Sequence, residues 1–219
     1  MQELDLASLD TGQRYKLLIG AVVPRPIAFV STISQDGKTN LAPFSFFSAV
    51  SANPMTLLFC PANKPDGSEK DTLRNAAFPA EGGTGEFVVN VASEPYIRKV
   101  AAAAEPLDHG ESEFDAAALE PAPSKLVRPP RVAESPVCFE CRTRQIIRLN
   151  PGAPGGGNIV IGDVIHIAAR EGLLNERTHT NPDLLRAVGR MGGFDYATTR
   201  DRFSLPLGLE ALQQPDPTA

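Results

Sequence analysis

The segment from Pro24 to Phe47 (PRPIAFVSTISQDGKTNLAPFSFF) constrains the fold more than any other part of the chain. Its first half is apolar and rich in β-branched residues, which predicts a buried strand. The dipeptide Asp36-Gly37 readily supplies the positive φ angles of a tight hairpin turn. On the returning half, Pro43 cannot donate to a strand ladder, so we expect it at an edge, a bulge or a strand end.

The returning half, Asn40–Phe47, mixes small polar side chains with aromatic ones. One interpretation is a hairpin with a bulged edge and a partly buried phenylalanine cluster. The other is a site that holds a flat ligand with polar edges against the backbone. Taken alone, the segment favours the hairpin without a ligand.

Length, charge and composition narrow the class of protein. The 219 residues predict one domain, residues 1–219, with a core at about 15–205 and a loose tail at 213–219. A formal charge of -5, with no stripe of Lys and Arg, argues against nucleic acid as a partner. No apolar run reaches the roughly 18 residues that span a membrane, and the N-terminus lacks signal-peptide features. We therefore expect a cytoplasmic enzyme or binding protein.

The three cysteines do not predict a disulfide framework or a metal site. Cys138 and Cys141 match C-x-x-C, but residues three apart on a strand face opposite sides of the sheet. The histidines, His109, His166 and His179, have no metal-ligand spacing. We expect no bound metal.

The remaining chain predicts an antiparallel, mainly β domain with a few inserted helices, most simply a closed or split barrel. Further strands are expected at Met55–Cys60, Glu86–Val91, Pro136–Leu149 and Ile159–Ala169, and helices at Ser68–Ala76, Tyr96–Glu105, Phe114–Leu119 and Pro182–Val188. The glycine-rich segment Asn150–Asn158 is not followed by a helix or by G-K-[ST], so it predicts a hairpin loop rather than a phosphate-binding loop.

The predicted helix start near Lys70 allows two interpretations. Ser68, Asp71 and Thr72 can all cap a helix, which fits a simple surface helix with a solvated lysine. Unpaired amides and partial positive charge at such a start, with Lys70 beside them, would instead suit an anion. The helix start alone favours the simple surface helix.

Several segments together resemble the flavin reductase-like, FMN-binding split-barrel family. The matching segments are Pro24–Ala28, Ser31-Thr32, Asn40–Phe47, Lys70–Thr72, Glu86–Asn90, Ser112–Asp115, Ile159–Val164 and Gly189–Gly193 with Tyr196. Their order and spacing fit from about Tyr15 to Phe203.

This resemblance implies a Greek-key split barrel that forms a homodimer and binds FMN non-covalently near the subunit interface. Carried over to matching positions, the isoalloxazine and ribityl contacts are Ser31, Thr32, Asn40, Leu41, Ala42, Pro43 and Ser45. Lys70, Asp71 and Thr72 are expected at the phosphate, with Arg25 and Arg190 as further phosphate or ribityl contacts. Pro43 is expected to free its strand from the ladder, so that the backbone can face the flavin.

The implied activity is an NAD(P)H:FMN oxidoreductase, in which NADH or NADPH passes a hydride to flavin N5. The reduced flavin would then serve an acceptor such as a monooxygenase partner. Since the flavin carries this chemistry, no catalytic side chain is expected. The alternatives are a flavoredoxin-like electron carrier without efficient NAD(P)H turnover, and a barrel that binds no flavin and serves as an interaction scaffold.

Overall fold

The computed structural model describes residues 1–107 and 111–215. The strands are β1 Arg25–Pro26, β2 Ala28–Ile33, β3 Thr39–Phe44, β4 Phe47–Ala52, β5 Met55–Phe59, β6 Glu86–Val91, β7 Pro121–Ala122, β8 Arg131–Val132, β9 Val137–Arg148, β10 Asn158–Ala169, β11 Val188–Arg190 and β12 Tyr196–Thr198. The α-helices are α1 Thr11–Ala21, α2 Asp71–Ala76, α3 Ile97–Ala102, α4 Glu113–Ala116 and α5 Pro182–Leu185. Short 3₁₀ helices are Leu6–Ser8, Pro79–Glu81, Glu94–Tyr96 and Gly208–Gln213.

Seven strands form one antiparallel sheet in the order β3-β2-β6-β9-β10-β5-β4. If this sheet were flat, six strand spacings would separate its edges by about 29 Å. Yet β3 ends at Phe44 and β4 begins at Phe47, and a chain of that length reaches at most about 11 Å. The sheet must therefore curl until its two edge strands lie near each other. The predicted split barrel is confirmed.

The first hairpin matches the prediction. The expectation that Pro43 frees its strand from the ladder is wrong. Strand β3 is an edge strand, and its pairing with β2 continues past Pro43 to Phe44. The Leu41 N–H points away from β2, because it donates to Glu113. Residues two apart on a strand share this direction, so a missing N–H at Pro43 breaks no bond to β2. The proline suits the edge without opening the ladder.

Three aromatic rings pack together inside the barrel. Phe59 lies with its ring centroid 5.2 Å from that of Phe44 and 5.2 Å from that of Phe87. Gly162 on β10 makes room for them, since a Cβ there would lie 2.3 Å from the Phe87 ring. A side chain at this position would collide with the core.

A second apolar cluster covers the outer face of β2 and β3. Phe29 and Leu41, both fully buried, pack there with Val100 of α3 and Phe114 of α4. Strand β2 is consequently buried on both faces. This packing fixes α3 and α4 beside the β3 edge, which is where the candidate site lies.

The two neighbouring cysteines lie on opposite faces of β9, as predicted. Cys141 packs in the barrel cluster with Phe87, whereas Cys138 packs outside it with Val88. Within residues 1–107 and 111–215, no three His, Cys, Asp or Glu side chains are grouped to hold a metal. His109 falls outside the described residues, as do positions 216–219 of the predicted tail.

Helix α2 begins later than the sequence suggested. Ser68 does not cap it, because the Ser68 N–H and hydroxyl both donate to Asp66, at 2.8 and 2.6 Å. Lys70 occupies the N-cap position, and no side chain of the described residues caps the helix. The prediction of a side-chain cap at this helix start is wrong.

The other three predicted helices are shorter than expected, and the one expected at Phe114–Leu119 covers Glu113–Ala116. The alanine-rich helix covers only Ile97–Ala102, after a 3₁₀ turn. Helix α5 is capped by Asn181 as predicted, but it ends at Leu185 because Arg186 adopts a left-handed conformation with φ 47°. Among the described residues, no helix is both long enough and apolar enough to cross a bilayer.

Candidate functional site

A cavity of about 520 Å³ lies where the β3 edge meets the start of α2. Its lining residues are Asn40, Ala42, Pro43, Asn63, Lys64, Pro65, Asp66, Lys70, Asp71, Thr72, Ala103, Ala104, Glu105, Pro106, Leu107 and Glu113. A second cavity of about 590 Å³ is lined in part by the same residues, including Asn40 and Asp71, and extends toward the β2–β3 turn. The site is thus an elongated groove along the β3 edge.

Asn40 joins the strand side of the groove to the helix side. Its side-chain amide donates to the Thr72 hydroxyl at 2.8 Å and to the Thr32 hydroxyl at 3.2 Å. Asn75 of α2 donates to the same Thr32 oxygen at 3.1 Å. Since the Thr72 oxygen accepts from Asn40, its own hydroxyl hydrogen remains free to donate to a ligand.

The start of α2 presents backbone donors to the groove. The first amides that bond back to Lys70 are those of Leu73 and Arg74, so the amides of Asp71 and Thr72 precede the helical hydrogen-bond pattern. Lys70 is exposed beside them. Its ammonium group has no hydrogen-bond or ion-pair partner in the part of the chain that the structure describes.

Asp71 is occupied by neighbouring cations. Its carboxylate forms ion pairs with Lys64, at 3.2 Å, and with Arg74. Partial burial alone would raise the pKa of Asp71, but the hydrogen bonds from Arg74 and Lys64 outweigh this and lower it. Asp71 therefore stays charged and holds two cations at the rim. It does not itself bind an anion.

Glu113 is a half-buried carboxylate inside the groove. Its Oε2 accepts the Leu41 N–H at 2.9 Å. Loss of solvent raises the pKa of Glu113 above its usual value, although the Leu41 hydrogen bond opposes the rise. Nothing in the sequence assigned this residue a role, and only its place in the Ser112–Asp115 motif pointed to it.

The structure gathers seven of the predicted residues around the groove: Thr32, through the Asn40 amide, and Asn40, Ala42, Pro43, Lys70, Asp71 and Thr72 directly. Ser31 is fully buried and donates to the Pro130 carbonyl at 2.5 Å. The Leu41 side chain lies in the outer apolar cluster, so only its backbone faces the groove.

Three other predicted residues lie elsewhere, at or beside the small sheet β1-β11-β12: Arg25, Ser45 and Arg190. The Arg25 guanidinium is 4% exposed and donates to Ser45 and to three backbone carbonyls, so its donors are used within the protein. Arg190 pairs with Arg25 in the strand register and lies over the Tyr196 ring, 4.6 Å from its centroid. The structure brings none of these side chains to the start of α2.

Polar side chains hold the two long loops in place. Asn63, on its wall, donates to Ala153 at 3.0 Å and accepts from Asn158 at 2.9 Å, which ties the glycine-rich loop to that wall. The proline-rich connection is held by Glu140, a fully buried carboxylate that accepts the Lys125 and Leu126 amides at 2.8 and 2.6 Å. Neither loop opens into the groove as a free flap.

An open antiparallel barrel with a ligand-sized groove between an edge strand and a helix start defines a split-barrel protein. The comparison of sequences makes the assignment specific: residues 19–191 match the flavin reductase like domain, and the chain belongs to that family.

Solved structures with the same fold support this assignment. Nitrilotriacetate monooxygenase component B from Bacillus cereus is 32% identical with a TM-score of 0.86, over 94% of this chain and 98% of that chain. The 2-nitrobenzoate 2-nitroreductase of Pseudomonas fluorescens is 28% identical with a TM-score of 0.83, over 95% and 97%. A split barrel domain protein from Shewanella frigidimarina NCIMB 400, 21% identical with a TM-score of 0.78 over 92% and 96%, shares the fold.

Proposed function

We propose that this protein is an FMN-binding NAD(P)H:flavin oxidoreductase. The observation that carries the proposal is the meeting, in one groove of a flavin reductase-like chain, of a free cation, uncapped helix amides and an edge strand. Lys70 supplies the cation, Thr72 a hydroxyl and an amide, and Asn40 the link to the strand.

The helix side of the groove fits a phosphate. A phosphate oxygen accepts hydrogen bonds and favours a helix start with a nearby cation. The Asp71 and Thr72 amides, the Thr72 hydroxyl and the Lys70 ammonium are donors of this kind. Asp71 contributes by holding Lys64 and Arg74 at the rim, so that this cluster of three charges is net positive.

The strand side of the groove fits a flat ring with polar edges. Ala42 and Pro43 are half-buried and line the cavity with apolar atoms. The carbonyls of Leu41 and Pro43 share the outward direction of the Leu41 N–H, so they offer acceptors to a ligand. Ring stacking on apolar walls with a few backbone hydrogen bonds is how such ligands are held.

When bound, the flavin would take a hydride from NADH or NADPH and pass its electrons to an acceptor. The chain would hold the phosphate and orient the ring on β3. The relative named as a monooxygenase component suggests a monooxygenase partner for the reduced flavin. The relative named as a nitroreductase suggests an organic nitro compound as another acceptor to assay.

We further propose that the protein works as a homodimer. Large apolar side chains are exposed on α1 and on the edge strand β4, among them Leu17, Leu18 and Val50. Contiguous exposed apolar surface on a soluble domain marks a contact surface. Sedimentation velocity is expected to give the mass of two chains, and a monomer at micromolar concentration would contradict this part of the proposal.

The test of the proposed function is binding followed by turnover. The purified protein is expected to quench the fluorescence of FMN during a titration. The complex is then expected to speed the oxidation of NADH or NADPH. Binding without turnover would instead support the electron carrier. An absence of any FMN binding would leave only the interaction scaffold.

A further inference from the structure

Glu113 lines the same groove as the start of α2. It opens the short helix α4, which is docked on β3 by two contacts. The Glu113 carboxylate accepts the Leu41 N–H at 2.9 Å, and the Ser112 hydroxyl lies 3.3 Å from that of Thr39. The carboxylate is half-buried and lines both parts of the groove. It therefore shares its cavity with the proposed phosphate position.

Glu113 shares the groove with both acidic and basic side chains. The charged residues that line the groove with it are Asp36, Lys38, Lys64, Asp66, Lys70, Asp71, Arg74, Glu105 and Glu111. Lys64 and Arg74 are paired with Asp71. Of the two charges from α2 that act most on Glu113, Asp71 raises its pKa and Lys70 lowers it. Lys70 is thus the cation whose charge favours the ionised form of Glu113.

The same lysine is the proposed phosphate ligand, so the two roles compete. A phosphate at Lys70 would neutralise the cation and bring further negative charge into the groove. A protonated Glu113 would avoid this repulsion. Its second oxygen could still accept from Leu41, and its O–H could donate.

We propose that Glu113 controls the affinity for the flavin phosphate by taking up a proton when FMN binds. This inference rests on the proposed function. Proton uptake on binding means that affinity is highest at low pH and falls as the pH rises through the range in which Glu113 ionises. If binding raises the pKa of Glu113 by about half a unit to one unit, the Kd changes by about three- to tenfold across that range.

The experiment compares the wild type with Glu113→Gln, whose amide oxygen can still accept from Leu41. Calorimetric titrations of FMN in two phosphate-free buffers of different ionisation enthalpy give the number of protons taken up. The FMN phosphate itself titrates with a pKa of about 6, but its contribution to proton uptake is the same in both proteins. Riboflavin, which lacks the phosphate, serves as the ligand control. Glu105→Gln, on the same cavity wall and exposed, serves as the matched variant.

The expected result is a larger proton uptake by the wild type and by Glu105→Gln than by Glu113→Gln, with FMN only. In Glu113→Gln the affinity for FMN should no longer decrease as the pH rises. The affinity of this variant for riboflavin should match that of the wild type. Equal proton uptake in all three proteins would overturn the inference and leave the proposed function standing. Equal loss of FMN and riboflavin affinity in Glu113→Gln would also overturn it, since Glu113 would then only support the fold. Failure of the wild type to bind either flavin would overturn both.

Discussion

Replacing Lys70 by alanine is the cleanest perturbation of the proposed phosphate site. In the described part of the chain its ammonium group has no hydrogen-bond or ion-pair partner, so truncation leaves no orphaned carboxylate. A charge-assisted hydrogen bond contributes roughly 1.5–3 kcal/mol. Because Lys70 is exposed, solvent screening places the loss at the lower end of this range, about 1.5 kcal/mol, which weakens the Kd for FMN roughly tenfold.

The assay is quenching of flavin fluorescence during titration with Lys70→Ala and wild-type protein. Riboflavin is the internal control, because it keeps the ring and the ribityl chain but has no phosphate. We expect its Kd to change less than about twofold, since uncharged contacts on β3 are retained. Lys64→Ala is a less informative comparison, because it also breaks the ion pair with Asp71. Equal losses for FMN and riboflavin would refute the assignment of Lys70 to the phosphate.

Three further predictions concern the scaffold. Gly162→Ala is expected to lower the free energy of unfolding in urea by about 1–3 kcal/mol, since its Cβ would lie 2.3 Å from the Phe87 ring; an unchanged midpoint would contradict the packing described. Glu140→Gln turns one amide acceptor into a donor, so hydrogen exchange of the Lys125 and Leu126 amides should quicken. Hydrogen bonds from Arg200 and Arg186 lower the pKa of Glu94 to about 2. Its contribution to stability is therefore present above the ordinary value and lost as the pH falls toward 2, and Glu94→Gln should flatten that part of the acid-unfolding curve.

The fold could be predicted because its signals are local. The turn at Asp36-Gly37, the edge proline Pro43 and the long β-branched strands each depend on neighbours in sequence. The start of α2 was predicted too early for a local reason as well. Ser68 was free to cap a helix or to close a turn with Asp66, and the sequence does not rank these two hydrogen bonds.

The site could be predicted only in part, because its wall is assembled from distant segments. Glu113 meets Leu41 across 72 residues, and no periodicity encodes such a contact. Arg25 shows the opposite difficulty. A cation beside a ligand motif reads as a phosphate contact, yet its guanidinium satisfies the carbonyls of Ile19, Val22 and Met191. Only the folded chain shows which cations are already used.

We infer that a flavin held in this groove is reduced by a nicotinamide. Anaerobic stopped-flow mixing of the FMN-loaded protein with NADH, and separately with NADPH, tests it most directly. We predict that at least one donor bleaches the visible flavin band in a single turnover, faster than it bleaches free FMN. A flavin that stays bound and oxidised with both donors would contradict the reductase and support an electron carrier.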